Sequence, residues 1–153
     1  IPEADIGANT AILTGLDGRK MSKSYNNTIP LFTPAAQLRK LIMKIKTNSL
    51  EPGVPKETEG STLFEIYRAF ATPAETDAFA ARYAAGAGWG ELKQELFAYL
   101  DAHLATPRGE YDRLMADPGH VEQVLKVGAE KARGTATPFL KAIRQAVGIR
   151  PLR

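Results

Sequence analysis

Lys20-Met21-Ser22-Lys23-Ser24 places two ammonium groups three residues apart, joined by hydroxyls. Leu16-Asp17-Gly18-Arg19 leads into this stretch through a glycine turn, and Tyr25-Asn26-Asn27 follows it. A compact cationic loop of this kind can fold its ammonium groups around a polyphosphate while the serines add hydrogen bonds. When a nucleophile attacks a phosphate, negative charge builds on the phosphate oxygens and on the departing group. Cations held there stabilise the transition state more than the ground state. A glycine-flanked loop can also close over its ligand and open for product, so the lysines need not be fixed in the free protein.

The elements that must position this loop are short upstream and helical downstream. Ala11-Ile12-Leu13-Thr14-Gly15 reads as a short buried strand ending in the turn Leu16-Asp17-Gly18. One strand makes no sheet, so residues 1–30 read as the tail of a larger α/β domain. Beyond residue 30 the punctuation is Thr-Pro, at Thr33-Pro34, Thr72-Pro73, Thr106-Pro107 and Thr137-Pro138, with Asp117-Pro118 as a relative. A capping oxygen followed by proline at the first helical position is a start signal, because proline has no N–H to leave unpaired. Thr72 with Glu75, and Thr62 with Glu65, have the spacing of capping boxes.

These signals predict helices over about 34–47, 62–71, 73–85, 90–104, 107–116 and 118–147, the last with a kink near Gly134 and Pro138. Gly86 and Gly148 stand where helices stop. Leu38, Leu41, Ile42 and Ile45 share one face of the first helix, and Leu92, Leu96, Tyr99, Leu100 and Leu104 are the apolar positions of the fourth.

At 153 residues, 44% hydrophobic and 24% charged, the chain has the make-up of one or two small globular domains. It has no cysteine, which excludes disulfides and thiolate metal sites and suits a reducing, cytoplasmic setting. His103 and His120 are isolated, which argues for surface positions rather than a metal cluster. No apolar run is long enough to cross a bilayer. The net charge of +3 is unevenly laid out: +4 over residues 1–50, −5 over 51–107 and +4 over 108–153, with no acid after Glu130. Two basic ends around an acidic middle suit contacts with polyanions at separate places; ordinary solvated helix faces give the same composition.

The loop resembles the second signature, KMSKS, of the class I aminoacyl-tRNA synthetases. Other segments narrow the resemblance. Ala11-Ile12-Leu13 running into the loop is similar to the last strand and signature loop of the bacterial tryptophanyl-tRNA synthetase family. Thr62-Leu63-Phe64-Glu65-Ile66-Tyr67 resembles the helix after that family's acidic loop. Gly128-Ala129-Glu130-Lys131-Ala132-Arg133, continued to Ala146-Val147-Gly148, resembles its C-terminal helix. The signature is shared by the whole class, whereas the Gly-Ala-Glu-Lys-Ala ending points to tryptophan.

The resemblance implies a mainly α fold: a helical bundle attached to the C-terminal remnant of a Rossmann-like α/β catalytic domain. It places the end of that domain, with its loop, at residues 1–32 and an α-helical anticodon-binding domain at 33–153. It also implies a reaction, the activation of tryptophan by ATP followed by its attachment to tRNA(Trp). Lys20 and Lys23 take the catalytic role in it, Lys23 facing the pyrophosphate. Met21 offers its backbone to the adenine, Ser22 and Ser24 bond to phosphate or hold the turn, and Asn27 braces the loop. Magnesium accompanies ATP, and no metal ligand is expected here. Lys126, Lys131, Arg133, Lys141 and Arg144 are candidate tRNA contacts, although helical periodicity spreads them over more than one face. The family's HIGH-type motif and tryptophan pocket have no counterpart in these residues, so the chain alone is expected to be inactive, the parent enzyme being a homodimer. A tyrosyl-tRNA synthetase fragment and a stand-alone helical RNA-binding module without catalysis are the competing readings.

Overall fold

The computed structural model describes residues 2–7 and 12–149. Five helices carry most of the chain: α1 (Ala35–Met43), α2 (Thr62–Phe70), α3 (Pro73–Ala84), α4 (Trp89–Ala116) and α5 (Pro118–Ala146). The chain falls into two compact units, Ile1–Arg108 and Gly109–Arg153, with the boundary inside α4. The fold is mainly α, as expected.

The predicted strand does not form. Ala11 lies outside the described residues, and Thr14 makes one isolated antiparallel bridge with Lys20. An extended segment becomes a strand only beside partners along its length, and among the described residues this one has a single rung.

Several helix starts behave as predicted and others differ. Thr72 and Glu75 form a reciprocal capping box at α3, with Pro73 at the first helical position, and the Asp117 side chain accepts from the His120 N–H at the start of α5. At α2 the cap is Ser61, not Thr62: its hydroxyl accepts from the Phe64 N–H, which leaves Thr62 and Glu65 free to turn elsewhere. At α1 no side chain caps; Pro34 occupies the capping position, and its carbonyl receives the Gln37 and Leu38 N–H groups.

The break expected at Thr106-Pro107 is absent, and α4 runs through Pro107 as one helix. Proline costs one intrahelical bond there, to the carbonyl of His103, which is exposed enough for water to replace it. Leu92, Leu96, Leu100 and Leu104 bury one continuous stripe up to that point, and the ion pair from Arg108 to Asp101 (2.9 Å) spans the proline. Likewise α5 continues through Gly134 and Pro138. Gly86 and Gly148 end their helices with positive φ, as read from the sequence. At Gly86 the lack of a side chain is doubly required, because an added Cβ would come within 2.5 Å of the Gly53 backbone.

The core lies in the first unit. Leu38, Ile42 and Ile45 from α1 and the turn after it meet Leu63, Phe64, Ile66 and Tyr67 of α2, Phe79 and Tyr83 of α3 and the leucine stripe of α4. Its centre is aromatic. Tyr67 stacks on Phe79 at 4.0 Å between ring centroids, and Tyr83 meets Phe64, Phe79 and Trp89 edge-on at 5.4–5.7 Å. Tyr83 is wholly buried; its hydroxyl pairs with Ser61 Oγ (3.0 Å), and burial pushes its pKa up to about 12. In the second unit α5 buries no residue among those described, and Phe139 and Leu125 are each more than 60% exposed. His103 and His120 are both on the surface.

Candidate nucleotide-binding loop

The loop between Thr14 and Asn27 is organised around one buried carboxamide. Asn27 is 2% exposed. Its Oδ1 accepts from the Ser22 N–H (2.8 Å), while Nδ2 donates to Asp17 Oδ1 (2.7 Å), the Lys20 carbonyl (3.2 Å) and the Arg19 carbonyl (3.4 Å). The Asn27 backbone carbonyl also accepts from the Leu16 N–H at 3.0 Å. One residue therefore grips both arms of the loop. Gly15 is the close neighbour that permits it: a Cβ there would sit 2.4 Å from the Asn27 carboxamide.

Asp17 closes the network. It receives the Asn27 amide and the Arg19 guanidinium (2.7 Å), and these hydrogen bonds, Asn27's the larger, lower its pKa to about 2. Arg19 also lies over the Tyr25 ring, 4.4 Å from its centroid. Ser22 begins a short turn over Lys23–Tyr25, accepting from the Ser24 N–H, and Asn26 ends it in the left-handed region at φ 51°. Ser22 thus serves the turn through its hydroxyl, and Ser24 through its backbone N–H. Of the loop's three cations Arg19 is engaged in structure, whereas Lys20 and Lys23 are exposed, with no side-chain partner among the described residues. Two unpaired ammonium groups on a braced backbone are what a polyphosphate ligand requires.

Beside the packing of Leu16 and Ile29 against the core, three further junctions tie the loop to the helices. Its entry is held by Thr14, whose hydroxyl donates to Glu65 Oε2 (2.6 Å) on α2 and lies 2.9 Å from Thr62 Oγ1. The Leu16 carbonyl accepts from the Lys46 N–H (3.0 Å), just beyond α1. The third junction is Met21, whose N–H donates to the Leu13 carbonyl (2.8 Å) and which lines an apolar cavity with residues of α1, α2 and α4.

Sequence reasoning found Asn27 but read Glu65 as a capping partner, and it missed Thr14 and Lys56. The Lys56 ammonium is buried, donates to the carbonyls of Glu51, Val54 and Gly86 (3.0–3.4 Å) and lies 5.5 Å from the Trp89 ring centroid. Nothing local separates it from a surface lysine. Trp89 is a packing residue at the start of α4, and its Nε1–H donates to Asn48 Oδ1 (3.1 Å).

The five basic residues proposed from sequence for RNA contact all lie on α5, and all are exposed. At about 100° per residue, Lys126, Arg133 and Arg144 fall within about 20° of one another, Lys141 about 60° away and Lys131 about 140° away. The helix therefore unites three of them and sets Lys131 on another face. Among the described residues no group of three His, Asp or Glu side chains could hold a metal, and no helix is long and apolar enough to cross a membrane.

Known proteins match this chain over nearly all of its length. The chain is 52% identical to the tryptophan–tRNA ligase of Xanthomonas campestris pv. campestris over 99% of its length, and to that of Neisseria meningitidis serogroup A over 100%. It spans 36% and 46% of those proteins, so between a third and a half of each. The crystal structure of tryptophanyl-tRNA synthetase from Campylobacter jejuni, complexed with ADP and tryptophan, superposes with a TM-score of 0.85 at 34% identity, over 96% of this chain and 46% of that one. Residues 3–105 match the family model of class I tRNA synthetases (W and Y). With the braced lysine loop and the helices that carry it in place, the chain belongs to the class I tRNA synthetases of the tryptophan and tyrosine group.

Proposed function

We propose that this chain is the signature-loop and helical portion of a ligase that activates tryptophan with ATP and joins it to tRNA(Trp). The observation that carries the reading is the Asn27-braced loop with its two unpaired lysines, in a chain about half identical to tryptophan–tRNA ligases throughout. In activation the amino acid carboxylate attacks the α-phosphorus of ATP, and pyrophosphate leaves. Lys23 faces the departing pyrophosphate, and Lys20 stabilises charge on the phosphate oxygens. The Met21 backbone borders the adenine. Ser22 and Ser24 hold the turn that presents Lys23. Magnesium would travel with ATP; the described residues supply no ligand set for it, and no step here depends on one.

Residues 1–32 act in this reading as the end of the catalytic domain, and 33–153 as the anticodon-arm domain, with Lys126, Lys131, Arg133, Lys141 and Arg144 contacting tRNA phosphates. The enzyme works in the cytoplasm as a homodimer. By itself the chain, between a third and a half of a ligase in length, does not catalyse ATP–pyrophosphate exchange.

The test replaces Lys20 and Lys23 by alanine in the intact ligase. Exchange is expected to fall by about 10²–10³-fold in kcat for each lost contact, tryptophan binding staying unchanged. Normal turnover in the double variant refutes the assignment. Exchange with tyrosine rather than tryptophan would move the enzyme to the other half of the group.

A further inference from the structure

We propose that Met21 is a positioning residue for the reaction, a flexible apolar plug that seats the signature loop on the helical body. Its role in catalysis rests on the function proposed above; its role in holding the loop does not.

Met21 sits between the two lysines in sequence, yet it is half-buried while both of them are exposed. It lines a cavity of about 90 Å³ together with Leu38, Ile66, Phe70, Leu100 and Leu104, so α1, α2 and α4 all contribute to its seat. The lining is almost entirely apolar. A thioether there gains nothing from a specific bond and is held by contact alone, which lets it shift as the loop moves. The unfilled space beside it is room for that movement. The polar tie at the loop's entry, Thr14 to Glu65, is short and directional, so it fixes one end. Asn27 fixes the two arms to each other. Leu13, Ile29 and Leu31 share the cavity lining and Leu16 and Ile29 pack against the core, so Met21 is the apolar side chain between Lys20 and Lys23 that faces the helices.

The direct test is limited trypsin cleavage after Arg19, Lys20 and Lys23 in this chain, with thermal melting to confirm folding. Met21→Ala is expected to speed cleavage roughly tenfold, and Met21→Leu, of similar volume, to restore protection. Met21→Gln keeps the length and loses the apolar match, so it serves if the alanine variant does not fold; it too is expected to cleave faster. Equal cleavage of the folded variants and the parent overturns the proposal.

In the intact ligase, Met21→Ala is expected to lower kcat for exchange roughly tenfold, leaving KM for tryptophan unchanged, with rescue by leucine. A lower melting temperature with unaltered cleavage and kcat would make Met21 merely structural and overturn the positioning role. Inactivity of the parent ligase toward tryptophan would instead remove the function proposed above, leaving the cleavage result to stand or fall alone.

Discussion

Asn27→Ala probes the loop most directly, because one substitution removes both brackets. It deletes the acceptor for the Ser22 N–H (2.8 Å) and the donor to the Lys20 carbonyl (3.2 Å), at a side chain only 2% exposed. Two neutral hydrogen bonds at about 1 kcal/mol each give about 2 kcal/mol, or roughly thirtyfold in the population of the ordered loop. The bond to Asp17 is left out of that figure, because water reaches the Asp17 carboxylate. The assay is amide hydrogen exchange at Leu16 and Met21, whose N–H groups bond to the backbone carbonyls of Asn27 and Leu13 and keep those partners in the variant. Their protection is expected to fall about thirtyfold while core amides on α2 are unchanged.

A pH arm follows from Asp17. Its pKa is about 2 against the usual 3.8, so its contribution is complete above about pH 4 and is lost as pH falls toward 2. Without Asn27, the largest cause of that shift, Asp17 titrates closer to 3.8, and the part of the loop's protection that acid removes shrinks. Protection of Leu16 and Met21 changed by less than threefold, or an unmoved Asp17 titration, would refute the keystone reasoning.

Three other expectations follow from the packing and the charge. Phe79→Ala removes the ring stacked on Tyr67 and is expected to cost about 3–5 kcal/mol, read from chemical denaturation. Lys56→Met leaves three carbonyls without their shared donor and is expected to destabilise by about 1–3 kcal/mol, with no change in the loop's trypsin sensitivity. Lys131→Glu with Arg133→Glu is expected to weaken tRNA binding by the intact ligase and flatten its salt dependence, measured by filter binding across a salt series; unchanged binding counts against that placement.

The signature motif and the helical plan were legible from the chain as a string. Both are local: ammonium groups three residues apart, hydroxyl caps beside prolines, glycines where helices stop and leucines at every fourth place depend on neighbours within a turn or two. Thr72 with Glu75 and Asp117 with Pro118 confirm as much. What three-dimensional packing alone decided is how the loop is held. Thr14 meets Glu65 across 51 positions, Lys56 meets Gly86 across 30, and Met21 shares a cavity with residues of three helices. The continuity of α4 through Pro107 was decided the same way, because four leucines buried in one stripe outweigh one lost backbone bond. Such contacts join residues whose separation along the chain carries no period, so their energies become visible only once the helices have met.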